Sequence, residues 1–328
     1  MRQYKIAFIG LGSIGKRHFN NVCTFLEERG DCYEIDLYRS NLLHELPQEI
    51  VEKAHQQILY DAPVADGLVY DVVFITNPTS MHYDTIRKFI GHSKSFFIEK
   101  PIFDSTDVDE SILDSLKGIP AYVACPLRYN PVLQYVKNHI DYSKAIAVRA
   151  ISSSYLPDWR PGQDYRKCYS AHREMGGGVG IDLIHEWDYL THFFGMPSKV
   201  FSIQDQISSL EINSDDIAIY IAKTKTATIE LHLDYFGRKT LRSIDLFLPE
   251  DTVHCDIAEG TIHYLKEGKE IVLNAERNSF QLAEIKHFFD IIDGKIENDS
   301  DVRHAYQVLK LEIVVILVSW LLTAAMPE

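Results

Sequence analysis

The chain has 328 residues, 46% of them hydrophobic and 24% charged, and its formal net charge is −14 at neutral pH. This composition is ordinary for a folded globular protein, the length suits two domains, and the negative charge disfavours DNA, RNA and anionic lipid as partners. The five cysteines include no C-x-x-C pair, so we expect no disulfide framework and a cytoplasmic location. The longest apolar run, Ile313 to Met326, is shorter than the roughly 20 residues that span a bilayer, which favours a buried terminal helix.

The first part of the chain alternates short apolar segments with helical ones. Strands are predicted at YKIAFIG (4–10), YEIDLYR (33–39), DVVFITN (71–77), SFFIEKP (95–101) and AYVACPL (121–127), and helices at 13–28 and 81–90. Strands that alternate with helices form right-handed crossover units in a parallel sheet. We therefore predict an α/β domain over residues 1–125.

The pattern changes after Leu127. A helix is predicted at 131–140, then strands within 144–155, 199–208, 216–235, 239–249 and 251–273, and closing helices at 280–292 and 302–324. The strand segments alternate and are rich in β-branched residues, which is typical of an antiparallel sheet with one solvated or partner-covered face. We predict an α+β domain over 126–328, with a terminal helix able to pack back on the first domain. A small molecule is expected in the cleft between the domains.

The segment GLGSIG places Gly10, Gly12 and Gly15 between a predicted strand and a predicted helix. In a dinucleotide-binding turn the first glycine permits the tight turn, the second admits the pyrophosphate, and the third lets the helix approach the strand. The helix amino terminus attracts phosphate. The alternative is a tight strand–helix turn with no ligand. We predict a nicotinamide dinucleotide site.

The end of the second strand discriminates NAD from NADP. An acidic residue there usually takes the ribose hydroxyls of NAD, but Asp36 lies in the middle of the strand and Arg39 and Ser40 stand at its end. An arginine beside a hydroxyl suits the 2′-phosphate of NADP. The alternative is that Arg39 is a surface residue and Asp36 reaches the ribose. We predict NADP as the preferred cofactor, with NAD as the other candidate.

Three further segments carry chemistry. TNPTSMH (76–82) and EKP (99–101) follow strands of the parallel sheet, where ligands bind, and Lys100 there could stabilise the anionic form of a substrate oxygen. Its alternative is a solvated loop lysine. A glycine run at 176–178 precedes a predicted helix with Asp182 and His185 on one face, a candidate acid–base pair whose alternative is a histidine satisfied inside the fold. The helix lacks the H-E-x-x-H pattern, so we expect no metal site.

Taken together, GLGSIGKRH, TNPTSMH, EKPIF, RYNP and GGGVGIDLIHEWDYLTHFFG resemble the motifs of the Gfo/Idh/MocA family, named for glucose–fructose oxidoreductase and inositol dehydrogenase. The resemblance implies a Rossmann domain followed by a domain with a large, open, mostly antiparallel sheet, whose exposed face would form a homodimer or homotetramer. It implies catalytic roles for Lys100, Asp182 and His185. The family's usual aspartate–histidine spacing is four residues and here it is three, so Glu186 and Asp188 are also candidates for orienting the histidine.

The loop 154–174 is dense in aromatic and charged residues, which suits a sugar or nucleotide-sugar ligand. Its alternative is an ordered loop that packs on itself or on a neighbouring subunit. The predicted substrate-binding residues are Arg128, Tyr155, Trp159, Arg160, Tyr165, Arg166, Asp182 and His185. The predicted dinucleotide-binding residues are Gly10, Gly12, Ser13, Ile14, Gly15, Arg39, Ser40, Thr76, Asn77, Pro78, His82, Glu99 and Lys100.

These features predict an NAD(P)-dependent oxidoreductase that acts on a secondary alcohol or ketone of a sugar derivative. Two other functions stay open. One is a non-catalytic dinucleotide-binding regulator of the same fold, which would tend to lose Lys100 or His185, and both are present. The other is a reductase of a non-sugar substrate such as a diol or a linear tetrapyrrole.

Overall fold

The computed structural model describes residues 1–274 and 276–313. Within them the strands are β1 (Gln3–Ile9), β2 (Cys32–Arg39), β3 (Gln56–Leu59), β4 (Val72–Ile75), β5 (Phe96–Ile98), β6 (Ala121–Val123), β7 (Ala147–Tyr155), β8 (Lys199–Asp205), β9 (Ile217–Lys223), β10 (Thr228–Asp234), β11 (Phe236–Phe247), β12 (Thr252–Asp256), β13 (Thr261–Tyr264) and β14 (Lys269–Val272). The α-helices are α1 (Ser13–Arg29), α2 (Gln48–Lys53), α3 (His82–Phe89), α4 (Ser111–Ser115), α5 (Pro131–His139), α6 (Val179–Asp182), α7 (His185–Phe194), α8 (Arg277–Ile292) and α9 (Val302–Ile313).

The chain divides into two compact units. Unit 1 contains Met1–Ala124 and Gln281–Tyr306, and unit 2 contains Cys125–Phe280 and the described residues from Gln307 onward. Each unit is built around its own sheet. The predicted α/β and α+β classes are both confirmed.

Unit 1 holds a six-stranded sheet in the order β3-β2-β1-β4-β5-β6, and every strand pair is parallel. All residues of β4 and β5 are buried, as expected for a parallel sheet covered on both faces. An aromatic cluster fills one side: Phe8 and Phe74 stack with centroids 4.5 Å apart, and Phe288 of α8 packs on Phe74, Phe97 and Tyr122. Because all strands run the same way, the loops after β1, β2, β4 and β5 meet at one edge.

Unit 2 holds an eight-stranded sheet in the order β14-β13-β12-β11-β7-β10-β9-β8. All neighbours are antiparallel except β7 and β10, which pair in parallel. One face is buried, and there Trp187 of α7 meets Tyr220 of β9 edge to face at 5.3 Å. The opposite face stays open and carries exposed apolar side chains on β8 and β9, among them Phe201 and Ile221, which are register partners.

Two predicted helices differ from the structure. The single helix predicted from the glycine run is two helices, α6 and α7, because Leu183 adopts φ −99° and ψ 25° and interrupts helical hydrogen bonding. The helix predicted at 302–324 is seen as α9 to Ile313, and residues 314–324 lie outside the described residues, as does the rest of the apolar run that ends at Met326. Across residues 1–274 and 276–313, no helix is both long enough and apolar enough to cross a membrane.

Candidate functional site

The turn between β1 and α1 has the construction of a phosphate cradle. Gly10 has φ +87°, and a Cβ there would lie 2.6 Å from the Asn77 Cα, so only glycine fits. A Cβ on Gly15 would lie 2.5 Å from the Gly10 carbonyl oxygen, so this glycine allows the helix to start close to the strand. A Cβ on Gly12 would meet no atom within 4 Å. The first and third glycines are therefore fixed by packing, whereas the second borders open space.

The amino terminus of α1 faces that open space with its main-chain amides uncapped. Gly12 is the N-cap residue and provides no side-chain acceptor, and the first turn of this 17-residue helix has no acidic residue. Uncapped amides and the positive end of the helix dipole together attract phosphate. Ser13, also predicted to bind the dinucleotide, is exposed here, and Ile14 is half-buried. The turn therefore fits the pyrophosphate of a dinucleotide.

The end of β2 carries a positive charge and no available carboxylate. Asp36 is fully buried, and its two oxygens accept hydrogen bonds from His55 Nδ1 at 2.9 Å and the Tyr70 hydroxyl at 2.7 Å. The Arg39 side chain donates to Gln57 Oε1 and to the His44 carbonyl oxygen, both uncharged acceptors. Among the described residues no ion pair involves Arg39. Both oxygens of Asp36 are thus engaged by hydrogen bonds inside the fold.

The loops after β4 and β5 lie at the same edge as the cradle. The Thr76 hydroxyl donates to the Gly10 carbonyl oxygen at 2.6 Å. His82 Nε2 lies 3.1 Å from the Asn77 carbonyl oxygen and its Nδ1 lies 3.1 Å from that of Pro101, so this buried ring ties the two loops together. Burial lowers the pKa of His82 below its ordinary value. His82 therefore holds the loops after β4 and β5 together. A direct contact of His82 with a dinucleotide stays a prediction.

Lys100 follows β5 and is half-buried. The preceding residue, Glu99, contacts His18 of α1, with Oε1 2.5 Å from His18 Nε2. Burial raises the pKa of Glu99, but the His18 hydrogen bond and the positive charge of Lys100 outweigh it and lower this pKa below its ordinary value. The lysine therefore stands next to an ionised carboxylate at the edge where the cradle lies.

In unit 2, Asp182 ends α6 and His185 begins α7, and two tyrosines hold the aspartate. The Tyr235 hydroxyl donates to Asp182 Oδ2 at 2.6 Å, and the Tyr169 hydroxyl also hydrogen-bonds this carboxylate. Burial and the negative charge of Asp182 raise the pKa of both phenols, so both remain donors at neutral pH. His185 is half-buried. The unit presents a fixed carboxylate and an imidazole three residues apart along a helix–helix junction.

The other two acids of this segment are bound to arginines. Arg242 Nε lies 2.7 Å from Oε1 of the fully buried Glu186. Arg128 binds Asp188 with two hydrogen bonds, of 2.8 and 2.6 Å, and its side chain is only 3% exposed. This geometry gives Arg128 a structural role, and its contact with substrate stays a prediction. The roles of Glu186 and Asp188 in orienting His185 also stay predictions.

The aromatic and charged loop is ordered partly by its own contacts. Arg166 donates two hydrogen bonds to Asp164 and also pairs with Glu211, so its charge is neutralised locally. Trp159 Nε1 donates to the Ser154 hydroxyl at 2.9 Å. Tyr165 accepts a hydrogen bond from the main chain of Glu211. These contacts favour the alternative in which the loop packs on itself.

Two other residues of the same loop, Tyr155 and Arg160, are half-buried and lie against an arginine or a tyrosine. The Arg160 guanidinium lies 5.5 Å above the Tyr169 ring, and within the described chain no ion pair involves it. The Arg238 guanidinium lies 3.9 Å above the ring of Tyr155.

Tyr235 was not identified as a site residue from the sequence, because a buried tyrosine that follows a strand gives no sign of the carboxylate it contacts. Its partner Asp182 lies 53 residues away along the chain.

The described residues offer no candidate metal site. No cluster of three or more His, Cys, Asp or Glu side chains suitable for a metal ion occurs in residues 1–274 or 276–313.

Comparison with known proteins identifies the family of the amino-terminal part. The family model described as an oxidoreductase family with an NAD-binding Rossmann fold, Gfo/Idh/MocA, matches residues 4–117. The chain is 26% identical over 196 residues to scyllo-inositol 2-dehydrogenase (NAD(+)) of Bacillus subtilis strain 168, a match that covers 59% of this chain and 54% of that protein. The chain thus spans about half the length of the curated relatives it matches.

Solved structures extend the likeness to the whole fold. Levoglucosan dehydrogenase, in complex with NADH and levoglucosan, has a TM-score of 0.82 at 14% identity and covers 97% of each chain. The UDP-N-acetylglucosamine 3-dehydrogenase of Acidithiobacillus ferrooxidans has a TM-score of 0.74 at 17% identity, over 97% of this chain and 98% of that one. At such identities the likeness concerns the fold alone. The resemblance to the Gfo/Idh/MocA oxidoreductase family predicted from the five motifs is confirmed, and the family model covers residues 4–117.

Proposed function

We propose that this chain, which resembles the Gfo/Idh/MocA oxidoreductases, transfers hydride between a nicotinamide dinucleotide and a secondary alcohol carbon of a sugar or nucleotide-sugar derivative. The observation that carries the proposal is the cradle at Gly10–Gly15 with Lys100 at the same edge of the parallel sheet. The relatives described above, named for inositol, levoglucosan and UDP-N-acetylglucosamine, support a hydroxyl-rich substrate.

The residues of unit 1 would bind the dinucleotide. The amides at the start of α1 hold the pyrophosphate, the space beside Gly12 admits it, and Thr76 and Asn77 border the same edge. When bound, the nicotinamide supplies or accepts the hydride. The contribution of the chain is to bind, orient and exclude water.

We further propose that NADPH binds more tightly than NADH, although two of the relatives described above are named with NAD(+) or NADH. The support is electrostatic: Arg39 has only uncharged partners, and Asp36 is engaged by His55 and Tyr70. A 2′-phosphate at the end of β2 would meet an uncompensated positive charge, with the exposed Ser40 beside it.

The cofactor preference is tested by the dissociation constants of NADPH and NADH, measured by quenching of protein fluorescence. The wild-type protein should bind NADPH more tightly, and Arg39→Met should weaken NADPH binding by roughly 10- to 100-fold, the value of a hydrogen bond to a charged group. NADH binding should change little. Lys53→Met removes a positive charge from an exposed position of the same unit and serves as the control. Tighter NADH binding by the wild type would overturn the NADP preference.

Three side chains would carry the proton chemistry. His185 exchanges the proton of the reacting hydroxyl, and Lys100 stabilises the negative charge that develops on that oxygen. Asp182, held by Tyr235 and Tyr169, is a fixed acceptor near His185 in sequence and orients its imidazole. The proton exchange requires a group able to hold or release a proton near neutral pH, which imidazole does best.

These roles are tested by a screen of inositols, free sugars and nucleotide sugars for a change in nicotinamide absorbance. With a substrate in hand, His185→Ala should retain dinucleotide affinity and lose most turnover, by about 100-fold or more. Lys100→Ala should lose turnover as well. Glu267→Ala, which changes an exposed acidic side chain of the same unit as His185, is the control. Wild-type turnover in His185→Ala would refute the assignment.

The loop supports the nucleotide-sugar branch of the proposal. Arg160 combines partial exposure, a stacked aromatic partner in Tyr169 and no carboxylate partner among the described residues, which suits a phosphate or carboxylate of the substrate. In the screen, Arg160→Met should raise the KM of a phosphorylated or carboxylated sugar and leave a neutral sugar unaffected. An equal change for both would contradict this contact.

We also propose that the chain forms a homodimer or homotetramer through the open face of the unit 2 sheet. Phe201 and Ile203 are each 65% exposed and Ile221 is 53% exposed, and the three lie together on that face. An exposed apolar patch on a sheet face is typical of an interface. Light scattering after gel filtration should give an oligomer for the wild type and a monomer for Phe201→Ser, whereas Leu265→Ser, which removes an equally exposed apolar side chain elsewhere, should not change the mass. A monomeric wild type would refute the proposal.

A further inference from the structure

His18 is a buried polar residue that the proposed chemistry does not use. It lies on α1 shortly after Gly15, and its side chain is 1% exposed. Its Nε2 is 2.5 Å from Oε1 of Glu99, and its ring meets Phe97 edge to face at 4.8 Å. The contact joins the helix of the phosphate cradle to the loop after β5, which lies 81 residues further along the chain.

The surroundings of the ring decide which nitrogen carries the proton. Nδ1 of His18 is buried, and no hydrogen-bonding partner for it occurs among the described residues. Burying an N–H without an acceptor costs more free energy than burying an unprotonated ring nitrogen without a donor. The proton is therefore assigned to Nε2, which donates it in a hydrogen bond to Glu99. His18 is therefore a donor to this carboxylate.

The second oxygen of Glu99 continues the connection. Its Oε2 accepts a hydrogen bond from the main-chain N–H of Lys100 at 3.1 Å. The carboxylate is only 12% exposed, so it has little access to water and depends on His18 and Lys100 for its hydrogen bonds. A continuous set of contacts thus runs from α1 through His18 and Glu99 to the backbone of the lysine.

We propose that His18 is a positioning residue that holds Glu99 ionised and in place, so that the helix that binds the phosphates also fixes Lys100. The inference rests on the proposed function, because it gives a purpose to the position of this lysine. Without the donor, burial favours the protonated form of Glu99, and Lys100 then loses both a neighbouring negative charge and a strong main-chain acceptor.

The reactivity of Lys100 towards acetic anhydride tests this without any substrate. The acetylation of its peptide is followed by mass spectrometry over a pH series, with the exposed Lys94 as internal reference. His18→Met, which lacks a donor, should raise the Lys100 rate several-fold relative to Lys94, because less of the lysine is protonated when its anionic neighbour is lost. Glu99→Gln should give the same increase.

The conservative variant separates positioning from packing. Glutamine can place an amide N–H close to the position of Nε2, so His18→Gln should keep the wild-type rate and pH profile of Lys100. Val22→Ala, which removes buried volume one turn along the same helix but no donor to Glu99, should lower the unfolding temperature and leave the Lys100 rate unchanged.

The proposal is overturned if Glu99→Gln leaves the Lys100 rate at the wild-type value, which needs no folded His18 variant. It is also overturned if His18→Gln shifts the rate as much as His18→Met. Failure of the proposed function would appear elsewhere, as a Lys100→Ala variant with full turnover, and would leave these acetylation rates as they are.

Discussion

The buried carboxyl of Glu312 should make the stability of the protein depend on pH in a defined direction. Glu312 lies on α9 and is 2% exposed, and its carboxyl group accepts a hydrogen bond from the Tyr220 hydroxyl. Burial, aided by the negative charges of Asp215 and Glu186 and opposed by the Tyr220 hydrogen bond, raises the pKa of Glu312 from 4.5 to about 8. The folded state therefore holds this proton more tightly than the unfolded chain does.

The size of the effect follows from the pKa difference. The stability that Glu312 contributes is complete below pH 4.5 and is lost as the pH rises to about 8. At about 1.4 kcal/mol for each pKa unit, the upper bound is about 5 kcal/mol over this window. Relaxation around a newly formed buried charge reduces such penalties, so we expect a loss of about 2–3 kcal/mol.

The assay is urea unfolding at several pH values, followed by the fluorescence of the buried Trp187, which packs on Tyr220. Glu312→Gln keeps the shape and cannot ionise, so the unfolding free energy of the wild type should fall relative to this variant as the pH rises. Glu267→Gln changes an exposed acid of the same unit and should follow the wild type. Parallel pH profiles for the wild type and Glu312→Gln would refute the reasoning.

Three other predictions concern particular contacts. Gly12→Ala should keep the wild-type unfolding temperature and lose dinucleotide affinity, whereas Gly10→Ala should destabilise the fold by about 1–2 kcal/mol or more, since φ is +87° there; equal unfolding temperatures would contradict this. Arg128→Met should destabilise by about 3–5 kcal/mol, because it leaves the Asp188 carboxylate without its buried partner, and a double-mutant cycle with Asp188→Asn should show coupling. Tyr235→Phe should lower the unfolding free energy by about 1.5–3 kcal/mol through loss of a hydrogen bond to a charged group, and an unchanged urea midpoint would count against it.

Local patterns in the sequence were sufficient to predict both sheets, because their strands form apolar or alternating runs. The strand β3 and the short helices α2 and α4 were missed. The sequence of β3, QQIL, is polar and mostly exposed at the edge of the sheet, so no hydrophobic period marks it. The parallel pairing of β7 with β10 was also not predicted, since it depends on residues about 80 positions apart.

The same distinction between local patterns and long-range contacts applies to the residues of the candidate site. The glycines of the cradle could be recognised from spacing, because Gly10 and Gly15 are required by close contacts within the turn and with Thr76 and Asn77, while Gly12 borders open space beside them. The pairing of Arg128 with Asp188 could not, because a lone arginine and a lone aspartate 60 residues apart give no sign that they meet. A charged residue predicted to face substrate is therefore the least secure kind of assignment from sequence, since burial and partners decide its role.

Unit 1 is discontinuous along the chain, and this has a consequence during synthesis on the ribosome. Its six strands are complete at Val123, but Phe288, which packs on Phe74, Phe97 and Tyr122, belongs to a segment that is made later. On the order of 150 residues lie between, which at 5–20 residues per second means a delay of roughly 10–30 s. Throughout this interval the aromatic surface of the nascent sheet lacks its α8 partner, so it stays exposed to misassociation until α8 leaves the exit tunnel.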